Sequence, residues 1–374
     1  MDLIYLVSYA VNELKPSPER CAEMDLESVL SLAKLHMLSA AAAVALEKTV
    51  SLPTSWRDAK GTAIRRMIIF NSERTKVLRA FDENGIWYAP LKGAVLKNYY
   101  PKAEMREMAD NDILCDGTKM VQLRKIMQAL GFECASFGRT NHDVYRKNKM
   151  NFEMHRTLFR PYAFPLFDSY YADVKERLIK DDDTLSGYHM SDEDFYIYIL
   201  CHMFQHYDSA GIGLRALLDI YVINQKKGRS LNREYIGREL KRLDLKAFES
   251  EVRILAEKTF SLQPLSEEEQ EQLAFFFKSN CFGLISIFLA KRISKINSKS
   301  AKRRYIFRRF FPEANFIRIF YPRVYQYKIL YPFFCVYRIF YGLIKHRKKL
   351  LLEYQMLKQC QFNKLSGCSN NSET

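Results

Sequence analysis

The sequence predicts an α+β protein, with a small mixed sheet between N-terminal helices and a larger C-terminal helical region. Three observations predict it. Between residues 76 and 160, short β-branched or aromatic runs alternate with helix-spaced apolar residues. The residues before that stretch, and those beyond about 190, read as helix. Hydrophobic residues make up 48% of 374, enough for a sizeable core and too many for a disordered chain.

The elements follow in order. Residues 1–50 read as helical, with a leucine- and then alanine-rich run over 32–46 that Ser51-Leu52-Pro53 ends. A helix over 56–84 follows, with Gly85 at its C′ position. Ile86-Trp87-Tyr88-Ala89-Pro90-Leu91 reads as a strand closing at Lys92-Gly93, and 94–99 as a short helix stopped by Pro101. A strand over 110–115 leads through Asp116-Gly117-Thr118 into a helix over 119–130. There Met120, Leu123, Ile126, Met127 and Leu130 recur at helical spacing, and Gly131 closes the turn. Weak strands are expected at 133–138 and 142–147, and a clearer one at 151–155. Alternation puts Glu153 and His155 on one face of it, Phe152 and Met154 on the other. Helices are expected over 192–208, 212–227, 232–260 and 267–295, and a frayed tail over 370–374. The chain thus divides into four parts. These are an N-terminal helical region (1–75), an α/β core (76–160), a helical domain closing a cleft (161–290) and a basic, aromatic-rich helical region (291–374).

The net charge of +15 is unevenly spread. From Lys291 onward 19 Lys and Arg face three acids, a balance of +16, so the first 290 residues sum to about −1. Between Tyr305 and Tyr341, 15 Phe or Tyr are interleaved with Arg308, Arg309, Arg318, Arg323, Lys328 and Arg338. Three readings suit that mixture. Through residues 291–350 it can meet an anionic membrane surface, to which Lys345-His346-Arg347-Lys348-Lys349 lends weight. It can stack on single-stranded RNA, a weaker fit. It can also be a helical subdomain with aromatic core and solvated cations.

No signal-peptide pattern opens the sequence, and the apolar run 329–344 is interrupted by Arg338, which argues against a spanning helix. Eight cysteines form no C-x-x-C pair and read as reduced, mostly buried thiols. The expected location is cytoplasmic, with peripheral attachment at the inner membrane face through the basic region.

The chemistry-bearing pattern is Arg106-Glu-Met-Ala-Asp110-Asn-Asp112-Ile-Leu. Asp110 and Asp112 share a strand face, and adjacent like charges invite a cation between them. Mg²⁺ is held by one or two carboxylates together with substrate phosphates, which points to phosphate chemistry. Upstream, Lys92-Gly93 lies where a strand meets a helix start, a junction that offers N–H groups to phosphate. Glu153 can add a third carboxylate from a neighbouring strand. His202 and His206, at i and i+4, share a helix face and read as lining a cleft; the H-E-x-x-H zinc signature is absent. Arg215 and Asp219 have the same spacing and read as an ion pair, with phosphate contact by Arg215 as the alternative.

These blocks resemble a family of bacterial nucleotidyltransferases within the polymerase-beta-like superfamily. The specific stretches are Gly85-Ile86 leading to Leu91-Lys92-Gly93, Tyr100-Pro101, Arg106-x-x-x-Asp110-x-Asp112-x-Leu114, and Glu153-x-His155. A looser likeness covers His202, His206 and Gly213-Leu214-Arg215-x-Leu217-x-Asp219, and then Phe311-Pro312 and Tyr321-Pro322. The resemblance implies a polymerase-beta-like core in which Asp110 and Asp112 bind Mg²⁺ (or Mn²⁺) and Glu153 completes a catalytic triad as base. It implies that Lys92, Gly93, Arg106, His155, His206 and Arg215 surround the nucleotide. The implied reaction moves an NMP group from an NTP, ATP among them, to a hydroxyl acceptor with release of pyrophosphate. Phosphoryl transfer on the same site, or a non-catalytic scaffold in a membrane-surface polysaccharide assembly, stays open. Three positions depart from the superfamily pattern: Ala94 in place of a small hydroxyl residue, Asn111 in place of an apolar one, and Cys115 in place of a branched aliphatic. Asn111 is expected to face the packed side of the sheet and to need partners there.

Overall fold

A computed structural model of the chain describes residues 1–160, 162–279, 284–294 and 298–359. It is α+β, a five-stranded mixed sheet set among helices. It divides into two compact units, Met1–Tyr207 with Gly211–Phe282, and Asp208–Ala210 with Gly283–Thr374.

The larger unit begins with α1 (Asp2–Val11), α2 (Pro18–Ala22), α3 (Leu26–His36) and α4 (Ser39–Leu46). Side chains of Ser17 and Asp25 cap α2 and α3 by accepting the N–H groups of Arg20 and Ser28. The run expected over 32–46 is two helices. Met37 adopts a left-handed backbone, with φ at 53°, and Leu38 N–H returns to the Ala33 carbonyl, which ends α3. All eight residues of α4 are buried, five of them alanine, so neighbouring helices approach closely.

Helix α5 (Thr54–Glu83) ends at Asn84 and Gly85, the latter with φ at 58°, as the C′ glycine requires. Strands β1 (Tyr88–Pro90), β2 (Asn111–Cys115), β3 (Glu133–Ser136), β4 (His142–Lys147) and β5 (Met150–His155) follow, with α6 (Gly93–Leu96) after β1 and α7 (Met120–Ala129) after β2. The strand order is β1-β2-β5-β4-β3, and only β2 and β5 run parallel. Asp110 stands one residue before β2.

The pleat sorts the side chains. Ile113 and Cys115 of β2 and Phe152 and Met154 of β5 pack with Phe70, Val77 and Phe81 of α5 and Leu123 and Met127 of α7 in one cluster. Burying each such side chain contributes roughly 1.5–3 kcal/mol. Asp112, Glu153 and His155 alternate to the opposite face. That face looks toward the second and larger cluster, which includes Leu114.

Next come α8 (Pro165–Tyr170), α9 (Val174–Arg177) and a two-stranded ribbon of β6 (Ile179–Lys180) and β7 (Tyr188–His189), none of which the sequence pattern predicted. Helices α10 (Asp192–Ser209), α11 (Leu214–Lys227), α12 (Arg233–Arg242), α13 (Lys246–Phe260) and α14 (Glu267–Ser279) complete the unit. The helix expected over 232–260 breaks at Asp244, whose φ is 55°. Residues of α1 and α4 share one core with α11, α13 and α14, and Asn12 ties them by accepting the Tyr221 hydroxyl and donating to the Phe260 carbonyl.

The smaller unit contains α15 (Ile285–Ser294), α16 (Lys299–Phe310), α17 (Ala314–Phe320), α18 (Pro322–Gln326), α19 (Tyr331–Lys345) and α20 (Arg347–Gln359). Glu353 of α20 accepts both arms of Arg309 at 2.8 Å. Among the described residues no helix is long and apolar enough to cross a membrane. Cys21, Cys115, Cys201 and Cys335 are buried free thiols, and Cys134 is a half-buried one. Cys281, Cys360, Cys368 and the tail expected at 370–374 lie outside the described residues.

Candidate active site

A cavity of about 380 Å³ opens on the face of the sheet that carries Asp112. Its walls come from the Lys92-Gly93 turn, from Asp110 and β2, from β4 and β5, and from α10 and α11. Every lining residue belongs to the larger unit.

Strand register assembles its floor. Asp112 lies opposite Glu153 in the parallel β2–β5 pair, and Leu114 lies opposite His155. In the antiparallel β4–β5 pair His142 lies opposite His155. The β4–β5 connection is a two-residue turn at Asn148 and Lys149, both with positive φ, which sets that register.

Lys92 turns the chain from β1 into α6 with φ at 45° and ψ at −120°, a conformation a side chain disfavours by about 1–3 kcal/mol. The strained turn brings its ammonium 2.5 Å from Asp112 Oδ1. His155 Nε2 meets the same oxygen at 2.9 Å. Gly93 is tightly fitted: a Cβ there would stand 2.9 Å from Met108 Cγ.

Burial opposes both charges of the Lys92–Asp112 pair, yet each partner outweighs it. Asp112, helped by His155, is held well below the usual carboxylate range, and Lys92 is raised. The other two carboxylates move the opposite way. Burial and the neighbouring Asp112 charge push Asp110 up to about 6 and Glu153 up to about 7. Burial holds the histidines neutral, His142 down to about 3, His206 to about 4, with His155 and His202 also lowered.

Asp110, Asp112 and Glu153 line the same cavity, close enough together that the Asp112 charge raises the other two. Three facing carboxylates repel, and here the Lys92 ammonium and His155 occupy Asp112. Among the described residues the close donor group is His142, Glu153 and His155, with ligand atoms all within 4.8 Å of one another. Glu153 Oε2 lies 3.6 Å from His142 Nε2 and 3.7 Å from His155 Nε2. The donor chemistry fits a divalent cation: carboxylate oxygens suit Mg²⁺, and the two imidazoles extend the fit to Mn²⁺ and softer ions.

Compared with known protein families, residues 22–261 match the model of a family described as uncharacterised nucleotidyltransferase, more than half of the chain. The chain belongs to this family. It is a nucleotidyltransferase, and the match spans every residue that lines the cavity. No curated protein and no solved structure matches it. The Phe311-Pro312 and Tyr321-Pro322 segments fall beyond the matched range.

Both expected arginines of the nucleotidyltransferase line the cavity, but the ion pair with Asp219 falls to Arg106 and not to Arg215. Arg106, expected to face phosphate, gives its fork to Asp219, Nε to Oδ1 at 2.6 Å and Nη2 to Oδ2 at 2.9 Å, and both side chains are buried. Asp219 was expected to pair with Arg215; it also accepts the Tyr100 hydroxyl at 2.7 Å. Arg215 donates to the Glu107 carbonyl at 2.8 Å and lines the cavity. The reason is distance along the chain giving way to burial: the planar fork of Arg106 reaches both oxygens of a buried carboxylate. His202 and His206 do line the cavity, their Nε2 atoms 3.2 Å apart.

Among the departures from the expected pattern, Asn111 finds a partner for its oxygen but none for its Nδ2 among the described residues. Asn111 is fully buried on the α5 side, where its Oδ1 accepts from Arg74 Nη1 at 2.8 Å. Ala94 and Cys115 pack into the apolar cluster behind the sheet. His142 was missed as a site residue. The signal was present: a two-residue turn at 148–149 pairs 147 with 150 and, five residues on, 142 with 155.

Proposed function

We propose that this nucleotidyltransferase moves an NMP group from an NTP to a hydroxyl acceptor, releasing pyrophosphate, with Mg²⁺ or Mn²⁺. The observation that carries the reading is the strained Lys92-Gly93 turn delivering an ammonium to the Asp112 carboxylate, in one cavity with Asp110 and Glu153. The cavity volume falls within the roughly 300–1,000 Å³ of small-molecule sites.

Asp110 and Asp112 would hold the cation, and Glu153, His155 and His142 offer further donor atoms in the same cavity. When bound there, a divalent cation would neutralise charge that develops on the phosphates. Lys92 and Arg215 bind phosphate oxygens from the protein side, and the Gly93 turn lets the backbone approach them. Arg106, fixed by Asp219, positions the segment that leads into Asp110. Glu153 accepts the proton of the acceptor hydroxyl as its oxygen bonds to the α-phosphorus and the bond to pyrophosphate breaks. A carboxylate whose pKa is pushed up to about 7 suits that exchange near neutral pH.

The test supplies each NTP with Mg²⁺ or Mn²⁺ and a panel of hydroxyl acceptors, and measures pyrophosphate. Asp110→Asn with Asp112→Asn is expected to reduce release at least about 100-fold with circular dichroism unchanged. Undiminished release by that variant refutes the reading. Release of nucleoside diphosphate reassigns the site to phosphoryl transfer.

A further inference from the structure

The smaller unit carries an apolar surface with no counterpart in the chemistry above. Helix α19 turns Phe334 and Cys335 inward. Phe333, Val336, Tyr337, Phe340, Tyr341 and Ile344 face outward, each between 45% and 74% exposed. Their spacing of three and four residues makes them one continuous stripe. The only charged residue inside the helix before its last turn, Arg338, is turned to the rings of Phe316 and Phe334, 5.1 and 5.8 Å from their centroids. The stripe is therefore uncharged. Exposed Lys328, Lys345 and Arg347 stand at its two ends.

We propose that this face docks on an anionic lipid bilayer, lying in the plane of the headgroups. A 15-residue helix is about 22 Å long, shorter than the roughly 30 Å hydrocarbon core, so it lies on the surface and does not span it. Phe, Ile and Val side chains reach the acyl boundary, Tyr337 and Tyr341 keep their hydroxyls at headgroup level, and the terminal cations meet lipid phosphates and carboxylates. Charge selects this occupant. A second copy of the chain on the same face would bring its own Lys328, Lys345 and Arg347 against like charges. A single strand of RNA needs cations interleaved with its stacking rings, and here the cations are segregated from the stripe. The inference stands on α19 alone and does not depend on the reaction.

The test is co-sedimentation of the full-length protein with vesicles of phosphatidylcholine alone or with about one-third phosphatidylserine. Binding to the anionic vesicles is expected to be at least about tenfold tighter, and to weaken with salt. Phe333→Ser with Phe340→Ser and Ile344→Ser is expected to lower it at least about tenfold, with circular dichroism and pyrophosphate release unchanged. Lys328→Gln with Lys345→Gln and Arg347→Gln, which leaves the stripe intact, is expected to abolish the preference for anionic lipid. Absence of binding at low salt overturns the proposal. So does a dimer, or an oligouridine complex, that the serine variant abolishes while vesicle binding survives.

Discussion

Lys92 Nζ and Asp112 Oδ1 form an ion pair 2.5 Å apart, and the same oxygen takes His155 Nε2. Removing one member of a buried pair strands the other charge, at about 3–5 kcal/mol. Lys92→Met is expected to lower the melting temperature and to abolish pyrophosphate release. It is also expected to gain more from Mn²⁺ than the unaltered protein, because the ion replaces the lost ammonium beside Asp112. Scanning fluorimetry with and without Mn²⁺ measures this, and equal shifts would show that Asp112 does not meet the ion.

Asp110 and Glu153, with pKa values near 6 and 7, give metal binding a pH dependence. Both values are raised, so between about pH 4 and 7 the folded state holds more protons than the unfolded chain. The contribution of these two groups to stability therefore falls as pH rises through that window. Cation binding needs them ionised and moves the opposite way, tightening from pH 5.5 to 7.5. Calorimetric titration with Mn²⁺ checks the trend, and Asp110→Asn is expected to make it shallower.

His36 predicts an acid-sensitive anchor away from the cavity. Its Nδ1 accepts the Leu214 N–H at 3.2 Å, and burial lowers its pKa to about 4. As pH falls from 6.5 toward 4 the unfolded chain takes up the proton first, so this stability is lost on acidification. Urea midpoints at pH 7 and 4.5 should show a smaller drop in His36→Asn than in the unaltered protein.

Behind the sheet, Arg74 joins Asn111 to Asn71, whose oxygen also accepts from Lys97 at 2.5 Å. Arg74→Met leaves the buried Asn111 amide without its donor and is expected to cost about 1–3 kcal/mol. Combining it with Asn111→Leu should cost less than the sum of the single changes, by roughly 0.5–3 kcal/mol, in a double-mutant cycle of unfolding free energies.

Asp219→Asn removes the carboxylate that Arg106 grips and is expected to destabilise the larger unit by about 3–5 kcal/mol. Arg106→Lys loses the bidentate geometry and should cost less. Hydrogen exchange of the 103–112 backbone reports both.

What the sequence disclosed was what depends on short-range pattern. The period-two alternation at 151–155 separated Glu153 and His155 from Phe152 and Met154, and the structure keeps that division. The Gly85 and Gly131 helix ends, both with positive φ, were legible for the same local reason. Breaks made by non-glycine residues were not, because Met37 and Asp244 carry no mark of the left-handed backbone they adopt. Long-range partner choice was hidden too. Nothing in the spacing told that Asp219 would leave its i−4 neighbour for an arginine 113 positions away. The mixed donor group at 142, 153 and 155 needed two strands in register before it existed.

The turn at Asn148 and Lys149 has a reach well beyond its two residues. His142 is five residues from the end of β4, about 17 Å along the strand. A slip of β4 by a single residue relative to β5 would turn its side chains over, sending His142 into the apolar layer and Tyr145 out into the cavity. The tightness of a two-residue surface turn thus guards half of the nitrogen donor set without including any residue of it.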